Sequence, residues 1–360
     1  MKNLRLIKSK YTESKAVEQL ENVLKMKDVN SVVGLPDLHP GKGIAIGAVA
    51  STKNIIYPHL IGNDIGCGIS LFKIAKKRDK LKRDKLVKRL EGADWYDFEL
   101  DYNSLKNIKN HNFNNKLGTI GKGNHFVELQ VIDKVVDKNL FDDFKLSKKE
   151  LYLMVHSGSR GYGEYILDKY IRSYSAQNGI EVLSQEGQEY IAEHNDAVVW
   201  GKLNRELIAK RFLEISKIDK AEEKIFDSVH NYLEYKNSNY LHRKGAASSD
   251  SPILAIPGSR GDYTYLVKPI SDIKSLYSVA HGAGRKWNRT SCKAKLDNKY
   301  KKDDLKVTKF KSNVVCFDKA LLYEEAPQAY KDVSDVIKSL ESEGLIKVIA
   351  ILKPLVTYKN

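Results

Sequence analysis

The spacing of apolar residues along the chain switches repeatedly between a helical and a strand pattern. Apolar side chains recur every three or four residues, as on the buried face of an α-helix, in residues 12–28, 76–90, 185–235 and 336–342. Runs typical of strands occupy residues 29–33, 44–51, 69–74, 117–130 (after a glycine-rich turn), 151–156, 252–267 and 346–356. Because the two kinds of element follow one another without a steady β-α-β order, we predict an α+β fold.

Glycine-rich loops between these elements carry much of the polar chemistry. We expect a turn-rich loop at residues 34–43 (GLPDLHPGKG). Residues 62–68 (GNDIGCG) place Asp64 and Cys67 close together in backbone that its glycines allow to bend tightly. The loops before residue 124 and after His156 match neither the P-loop nor the dinucleotide fingerprint.

Composition adds a strong positive charge to this picture. The chain of 360 residues is 42% hydrophobic, enough for a substantial core, and carries a formal net charge of +15. Such an excess indicates a polyanionic partner, with nucleic acid first. The basic helix at residues 76–90 fits either contact with an RNA backbone or an ordinary solvated surface. The sequence leaves both interpretations open.

The cysteines and the apolar runs bear on location. Three cysteines are too few, and odd in number, for a disulfide framework. The first ten residues contain no apolar core of a signal peptide, and no apolar run approaches the roughly 20 residues of a membrane span. We therefore expect a cytoplasmic protein with no membrane association.

Four of the nine histidines share a distinctive setting. Each lies at a predicted strand end or turn and is flanked by small, amide or hydroxyl residues, as expected of side chains that reach a common cleft. These four are His125, His156, His230 and His281. By contrast, His59, His111 and His194 lack this setting, and we expect them to be ordinary core or surface residues.

A carboxylate, a thiolate and several imidazoles form a donor set of intermediate softness. Such a set suits Mn²⁺, Co²⁺, Fe²⁺ or Zn²⁺ better than Mg²⁺ or Ca²⁺. The donors exceed the needs of one tetrahedral ion, so we predict two adjacent ions that share Cys67, an arrangement typical of phosphoryl transfer. His281 lies among small residues and four positions before Arg285. It suits a nucleophile as well as a metal ligand.

Taken together, these motifs resemble the RtcB-type RNA ligases. The matching stretches, in the order of that family, are Pro36–Gly43, Asp64–Gly68, Gly123–Glu128, His156–Gly161, Asn204–Arg205, His230–Asn231, His242–Gly245, Pro257–Ser259, His281–Arg285, Glu325–Pro327 and Tyr330–Lys331. The resemblance runs from about residue 30 to the end of the chain. It implies one catalytic domain over residues 1–360, with mixed and antiparallel sheets around a central metal cleft and helices at the periphery.

The resemblance also implies an activity and a set of site residues. The expected enzyme uses GTP and two Mn²⁺ ions (Co²⁺ or Zn²⁺ as substitutes) to join RNA 3′-phosphate or 2′,3′-cyclic phosphate ends to 5′-hydroxyl ends, in tRNA splicing or RNA repair. By match, Asp64, Cys67, His125, His156 and His230 hold the metals. His281 forms the covalent guanylyl-histidine. Guanylate contacts fall on Asn124, His125, Phe126, Val127, Glu128, His230, Asn231, Pro257, Gly258, Ser259, Arg260, Thr264, His281, Gly282, Ala283, Gly284 and Lys359. A monomer, with room for an activating protein partner, is the expected state.

This chain departs from the family pattern in the loop after Pro257. It has Arg260, Asp262 and Thr264 where the family usually has methionine, threonine and serine. Asp262 places negative charge beside the expected nucleotide pocket, and we expect Arg260 to offset it. The chain is also shorter than most members, which suggests a divergent branch and an RNA-repair role.

Two other functions compete with the ligase. A two-metal phosphohydrolase acting on RNA phosphates would use the same metal donors but leaves His281 and Lys359 without a role. A non-catalytic RNA-binding module would explain the charge but not the convergent donors. We therefore favour the ligase.

Overall fold

The predicted α+β class is confirmed in a computed structural model, which describes residues 2–95, 108, 112–218 and 221–359. The helices within this part of the chain are α1 Ser14–Lys25, α2 Arg83–Glu91, α3 Lys138–Asp143, α4 Gly161–Tyr174, α5 Gln185–Ser216, α6 Arg289–Leu296, α7 Lys319–Glu324 and α8 Val333–Ser342. The strands are β1 Asn3–Leu6, β2 Ser31–His39, β3 Ile46–Thr52, β4 Ile55–Ile56, β5 Gly68–Lys77, β6 Phe126–Val135, β7 Glu150–Ser157, β8 Ile180–Glu181, β9 Ala221–Val229, β10 Asn231–Lys236, β11 Asn239–Lys244, β12 Ala246–Ser248, β13 Leu254–Pro257, β14 Thr264–Pro269, β15 Ser278–Ala280, β16 Asn313–Cys316 and β17 Ile346–Lys359.

The larger sheet contains eight strands, seven of them in the order β13-β14-β17-β6-β7-β5-β9. Neighbours along this order are antiparallel, and β16 pairs with β17 in parallel. The strand formed by the final described residues, β17, therefore lies inside the sheet and not at its edge. Helices α2 and α5 cover one face, where Leu86, Ile208 and Phe212 pack with strand residues such as Leu153.

A second sheet of five strands has the order β1-β2-β3-β11-β10. It connects to the larger sheet through β9 and β10, which follow one another around His230. A small ladder of β12 and β15 pairs Ala246 with Ala280. Since the backbone N–H of Ala246 also donates to the carbonyl of His230 (3.0 Å), this ladder places the loop after β15 beside the junction of the two sheets.

Helix α5 is the longest helix described, with 32 residues. It begins where the Ser184 hydroxyl accepts a hydrogen bond from the Gly187 N–H, and it ends at Lys217, whose left-handed conformation (φ 51°) terminates the helical hydrogen bonds. Buried residues run along it, including the polar side chains of Asn204 and Arg205. The helix therefore packs into the apolar core and also buries polar side chains that can form hydrogen bonds with neighbouring loops.

The structure corrects several predicted elements. The helical segment predicted at 185–235 ends at Ser216, and residues 221–229 and 231–236 form β9 and β10. Most of the loop predicted at 34–43 belongs to β2, which runs to His39. The glycine-rich segment after His156 is followed at once by α4, a helix the sequence analysis did not predict.

Candidate metal centre and nucleotide cleft

Four adjacent strands of the larger sheet bring four metal-type donors to one end of that sheet. Cys67 directly precedes β5, His125 directly precedes β6, His156 lies one residue before the end of β7, and His230 directly follows β9. Gly68 is paired with both Ser157 and Val229, and Phe126 is paired with His156. This register, and not nearness in the sequence, places the four side chains together.

The donor atoms form two groups with one shared member. One group consists of Asp64, Cys67 and His125, the other of Cys67, His156 and His230, and within each group all donor atoms lie within 4.8 Å of one another. The Cys67 Sγ lies 3.4 Å from Nε2 of both His125 and His156. Nε2 of His125 lies 2.8 Å from the Asp64 carboxylate. The expectation that a thiolate lies between two donor sets agrees with this geometry.

The histidines are held in the tautomer that a metal requires. Nδ1 of His125 lies 3.0 Å from the carbonyl of Ile120, and Nδ1 of His156 lies 3.2 Å from that of Asn124. Since a carbonyl only accepts, each Nδ1 carries the proton and each Nε2 presents its lone pair to the donor group. Burial lowers the pKa of both His156 and His230 well below the usual range, which keeps these rings neutral.

The chemistry of this donor set fits a bound cation. Burial, reinforced by the Asp64 carboxylate, raises the pKa of the Cys67 thiol well above its ordinary value. A thiolate at this position therefore needs positive charge beside it, which a divalent metal supplies. One carboxylate oxygen of Asp64 is also buried and lacks a hydrogen-bond partner within the described residues. Both observations are consistent with metal ligation by these side chains.

A buried arginine on α5 holds the loops that carry the donors. Arg205 is fully buried; its Nη1 donates to the carbonyls of Gly66 (2.7 Å) and Ser157 (2.8 Å). Its Nη2 and Nε donate to the two carboxylate oxygens of Asp227 at 2.7 and 2.8 Å. Arg205 therefore fixes the start of β5, the end of β7 and a side chain of β9 relative to one another.

The neighbouring Asn204 holds the segment that precedes His125. Its side-chain oxygen accepts from the N–H of Gly118 (2.8 Å), and its amide donates to the carbonyls of Thr119 (3.2 Å) and Gly158 (3.1 Å). The segment that leads to His125 is thus tied to the loop that follows His156. Asn204 and Arg205 form one of the stretches that match the family. The sequence could not show that they hold the loops together, because their hydrogen-bond partners lie far away along the chain.

His281 lies next to this donor set and is oriented by Asp37. The His281 and His230 ring centroids are 4.7 Å apart. The buried Asp37 carboxylate lies 2.7 Å from Nδ1 of His281, and the same oxygen lies 3.3 Å from its backbone N–H. Because a carboxylate accepts the Nδ1 proton, Nε2 of His281 keeps its lone pair, which is available to a metal ion or to an electrophile. This role of Asp37 was missed, since the sequence shows only an acidic residue in a turn-like segment.

Two further contacts lock this pair together. Gly284 has φ +74°, and a Cβ there would come within 2.1 Å of the Asp37 carbonyl, so only glycine allows this approach. Lys331 donates from its backbone to the carbonyl of Gly284 (3.0 Å) and from its buried Nζ to the carbonyls of Leu38 (2.6 Å) and Pro36 (3.2 Å). Lys331 thus holds both the strand of Asp37 and the loop of His281.

The metal-type donors, His281 and nearly all of the expected nucleotide contacts line a single cleft of about 1090 Å³. The exception is Val127, which is fully buried in the apolar core behind β6. Cleft residues that the sequence analysis did not assign include His39, Lys122, Arg160, Lys244, Arg289 and Tyr330. Four of them lie in the matched stretches but were given no role there, whereas Lys122 and Arg289 lie outside those stretches, and isolated cations give no sequence signal in a chain this basic.

At one part of the cleft a carboxylate and an ammonium lie close to each other. Glu128 accepts hydrogen bonds from Gln130 (2.6 Å) and Thr357 (2.5 Å), and burial raises its pKa to about 7. Lys359 donates to the carbonyl of His125 (2.8 Å), and burial lowers its pKa to about 8. Carboxylate and ammonium together suit a base that offers both donors and acceptors.

The expectation that Arg260 offsets the charge of Asp262 is wrong. The Asp262 carboxylate accepts from Lys309 at 2.7 Å and does not line the cleft. Arg260 instead donates from Nη2 to the carbonyl of Leu322 (3.0 Å). The charge of Asp262 is therefore balanced by Lys309 and not by Arg260, and it adds to the effect of burial in raising the pKa of Glu128.

The three histidines that we expected to be ordinary core or surface residues have different outcomes. His194 accepts from the backbone N–H of Leu233 (2.9 Å) in the core, as expected of an ordinary buried histidine. His59 lies outside the cleft lining, and burial lowers its pKa to about 4. His111 lies outside the described residues.

The sequence is similar to those of known RNA ligases over nearly its whole length. The sequence model described as tRNA-splicing ligase RtcB matches residues 19–94 and 98–360. The chain is 44% identical to the RNA-splicing ligase RtcB2 of Escherichia coli strain ATCC 25922, over 97% of this chain and 93% of that protein. It is 28% identical to the tRNA-splicing ligase RtcB of Archaeoglobus fulgidus, over 95% and 90%. The RNA-splicing ligase RtcB of E. coli K12 is likewise 28% identical, over 97% and 95%.

These comparisons place the protein among the RNA ligases. More narrowly, the chain belongs to the RtcB family of RNA-splicing ligases. In the described part of the chain, no helix has the length and apolar character needed to cross a membrane.

Proposed function

We propose that this protein is a GTP- and Mn²⁺-dependent ligase that joins RNA 3′-phosphate or 2′,3′-cyclic phosphate ends to 5′-hydroxyl ends, in RNA repair or tRNA splicing. The observation that carries this proposal is the His281–Asp37 pair, 2.7 Å apart, placed beside two metal-type donor groups that share Cys67. A hydrolase would use the donor groups but would need no oriented nucleophile.

Five side chains would bind the metal ions, and Asp37 would orient His281. Asp64, Cys67 and His125 would hold one divalent ion, and His156 and His230 with Cys67 the other. Bound there, such ions neutralise phosphate charge and polarise phosphorus. Asp37 holds the proton on Nδ1 of His281, so that Nε2 faces the incoming phosphate.

The reaction begins when Nε2 of His281 attacks the α-phosphorus of GTP. The bond from this phosphorus to the bridging oxygen breaks, and pyrophosphate leaves. An oxygen of the RNA 3′-phosphate then takes the guanylyl group from His281 to form an activated end. The RNA 5′-hydroxyl attacks that end, loses its proton, and displaces GMP. A cyclic phosphate is first opened by water to give the 3′-phosphate.

Glu128 and Lys359 support guanine as the base. Guanine offers N1–H and N2–H₂ donors on one edge and O6 and N7 acceptors on the other. A carboxylate accepts from the first, and an ammonium donates to the second. Adenine has an amino group, a hydrogen-bond donor, where guanine has the O6 acceptor. In the same orientation it would place this donor against the Lys359 ammonium, which can only donate.

The basic surface supports RNA as the second substrate. Arg289 and Lys122 line the mouth of the cleft. Further along, Arg83 of α2 donates to the carbonyl of Lys311 (2.9 Å), so two lysine-rich segments adjoin one another. Contacts with phosphates release counterions, so RNA affinity should fall steeply between about 50 and 200 mM salt. A flat response would contradict backbone-driven binding.

Transfer of label from GTP tests the proposal most directly. Purified protein is incubated with Mn²⁺ and GTP labelled at the α-phosphate, then separated under denaturing conditions. We expect an acid-labile labelled band that is absent from His281→Ala and retained by His59→Ala, which alters a histidine outside the cleft. No band from folded protein with two metal ions bound would overturn the ligase mechanism.

A second assay, with RNA ends added under the same conditions, separates the ligase from the two-metal phosphohydrolase, which the donor groups alone would also support. A phosphohydrolase releases inorganic phosphate or opens cyclic phosphate ends, with or without GTP. Joined RNA that depends on both GTP and His281 would exclude hydrolysis as the principal activity.

A further inference from the structure

Three aromatic side chains at the start of α4 form a cluster that reaches from the core to the surface. Tyr162 is buried, and its hydroxyl donates to the Asp196 carboxylate (2.8 Å). The ring of Phe113 stacks on Tyr162, with centroids 5.2 Å apart and an angle of 25° between the planes. Phe113 also contacts the ring of Tyr165, whose centroid lies 5.6 Å away. Phe113, Tyr162 and Tyr165 together are the aromatic cluster, and its outermost ring, Tyr165, is 50% exposed.

The aromatic cluster borders the cleft. Arg160, Gly161 and Glu164, at the beginning of α4, line the cleft. The Phe113 ring reaches this wall, since a Cβ added at Gly161 would lie 3.9 Å from Cε1 of Phe113. Tyr165 follows about one helical turn after Gly161, and side chains on a helix lean towards its N-terminus. The exposed ring therefore leans towards the cleft.

The support beneath Tyr165 distinguishes it from an ordinary exposed aromatic residue. Single exposed apolar side chains are common on protein surfaces and need no explanation. Here the exposed ring packs against Phe113, and Phe113 packs against a tyrosine that is buried and fixed by a hydrogen bond. A ring held in this way has little rotational freedom to lose when a ligand binds. The cluster therefore offers a preorganised flat surface beside the cleft.

The charges around the ring suit a nucleic-acid base better than a phosphate. Arg160 and Lys122 also line the cleft, and such cations attract the phosphates of a strand that enters it. Glu164, directly before Tyr165, is exposed and would repel a phosphate at the ring itself. Unpaired bases stack on aromatic rings whatever their identity, whereas bases in a duplex are already stacked on their neighbours. The group that fits this position is therefore an unpaired base.

We infer that Tyr165 stacks with an unpaired base of the RNA strand that enters the cleft. This inference rests on the proposed function, since it assigns a further contact to the RNA substrate. The contact lies outside the metal donors and the expected nucleotide contacts. It gives affinity without sequence preference, and it requires that the RNA end be single-stranded where it passes α4.

Binding of RNAs that lack one base at a time tests the inference without requiring catalysis. Two unstructured RNAs are used, one ending in a 3′-phosphate and the other in a 5′-hydroxyl. In each, a single abasic position is moved along the strand. Affinity for the Mn²⁺-loaded protein is measured without GTP, so that no joining occurs. Wild type is compared with Tyr165→Ala, Tyr165→Leu and Tyr165→Phe, and thermal denaturation confirms that each variant is folded.

The matched control is Tyr174→Ala. Tyr174 is also an exposed tyrosine of α4 (39%), and it also packs against a second ring, that of Tyr170, at 5.3 Å. It follows Tyr165 by nine residues, which is about 14 Å along the helix axis and away from the cleft wall. Tyr174→Ala should therefore bind every RNA like wild type.

We expect Tyr165→Ala to weaken RNA binding by about 5- to 150-fold, the usual contribution of one base stacked on an aromatic ring. One abasic position should weaken binding to wild type by a similar factor but have no effect on Tyr165→Ala, which has no ring to lose. Tyr165→Phe should bind like wild type, and Tyr165→Leu should resemble Tyr165→Ala. The factor should be equal at about 50 and 200 mM salt, because stacking releases no counterions.

Three results would overturn the inference. Identical abasic penalties in wild type and Tyr165→Ala would show that no base lies on the ring and would leave it to a protein partner. Full RNA affinity in Tyr165→Leu would indicate an apolar contact without stacking. An equal loss in Tyr174→Ala would indicate a general effect of the surface.

The outcome also separates this inference from the proposed function. If the scan identifies a base stacked on Tyr165 but wild type forms no labelled His281, the RNA contact stands and the proposed ligase mechanism fails. If His281 is labelled but the scan shows no dependence on Tyr165, only the stacking contact fails.

Discussion

Replacing Asp37 by asparagine removes a charge from the nucleophile's partner while keeping its shape. One carboxylate oxygen of Asp37 faces two donors, Nδ1 and the backbone N–H of His281, at 2.7 and 3.3 Å. The other oxygen is buried without a hydrogen-bond partner in the described chain. In Asp37→Asn the amide oxygen should therefore stay towards His281, and the NH₂ group should occupy the unpartnered side.

The size of the effect follows from this orientation. A hydrogen bond to a charged group contributes about 1.5–3 kcal/mol and a neutral one about 0.5–1.5 kcal/mol. The difference of roughly 1–1.5 kcal/mol corresponds to a loss of about 5- to 15-fold in the rate of His281 labelling. The buried, unpartnered NH₂ should also lower the free energy of unfolding by about 1–3 kcal/mol.

Single-turnover labelling at saturating GTP and Mn²⁺ measures the rate, and urea denaturation measures the stability. Asp84→Asn, on the exposed side of α2, is the matched control and should change neither quantity. An amide turned the other way would place the proton on Nε2 of His281 and cost about 10⁴-fold, as in the wrong tautomer of a catalytic triad. An unchanged labelling rate, or a change only in the GTP concentration required, would refute the orienting role.

Three further predictions concern the donors, the scaffold and the base contact. Cys67→Ala should lose both ions, because its Sγ belongs to both donor groups; full Mn²⁺ content measured by elemental analysis would contradict the shared role. Arg205→Met should lower the free energy of unfolding in urea by about 3–5 kcal/mol, since it leaves the Asp227 carboxylate buried and unpaired; a loss below about 1 kcal/mol would mean that the pair does not hold the loops. Burial raises the pKa of Glu128 to about 7, so its carboxylate forms as pH rises through that value. GTP affinity should therefore increase from pH 6 to about 7, before Lys359, whose pKa burial lowers to about 8, loses its proton, and Glu128→Gln should abolish that increase. The opposite sign holds for folding: the raised pKa favours the protonated side chain in the folded state, so this contribution to stability is lost as pH rises towards 7 and beyond.

The sequence indicated which side chains would come together more accurately than it predicted the bounds of the helices and strands that position them. The pattern of small neighbours around His125, His156 and His230 is local, and in the structure these side chains do meet at adjacent strand ends. Helix α5 was extended too far because its stop at Lys217 has no glycine or proline to mark it. The alternation of β9 was therefore merged with the helical stripe before it.

Asp37 illustrates a limit of another kind. Glycine and proline around it are turn signals, yet β2 continues through Pro36 because its pairing with β3 is interrupted between Gly34 and His39. Proline is tolerated where a strand lacks a ladder hydrogen bond. Nothing in the sequence shows that Asp37 will face a histidine 244 positions further on. That contact exists only after β2 has met the loop that follows the β12–β15 ladder.

The interior position of β17 has a consequence for how the protein is made. Because β17 lies between β14 and β6 and also pairs with β16, the larger sheet stays divided until residues 346–359 have left the ribosome. Until then β6 and β14 expose unpaired edges, which are prone to bind other chains. Lys359, which holds the backbone of His125, arrives with that same strand. The cleft is therefore completed only once residues 346–359 have joined the sheet, and a nascent chain stalled before them would expose these edges to chaperones.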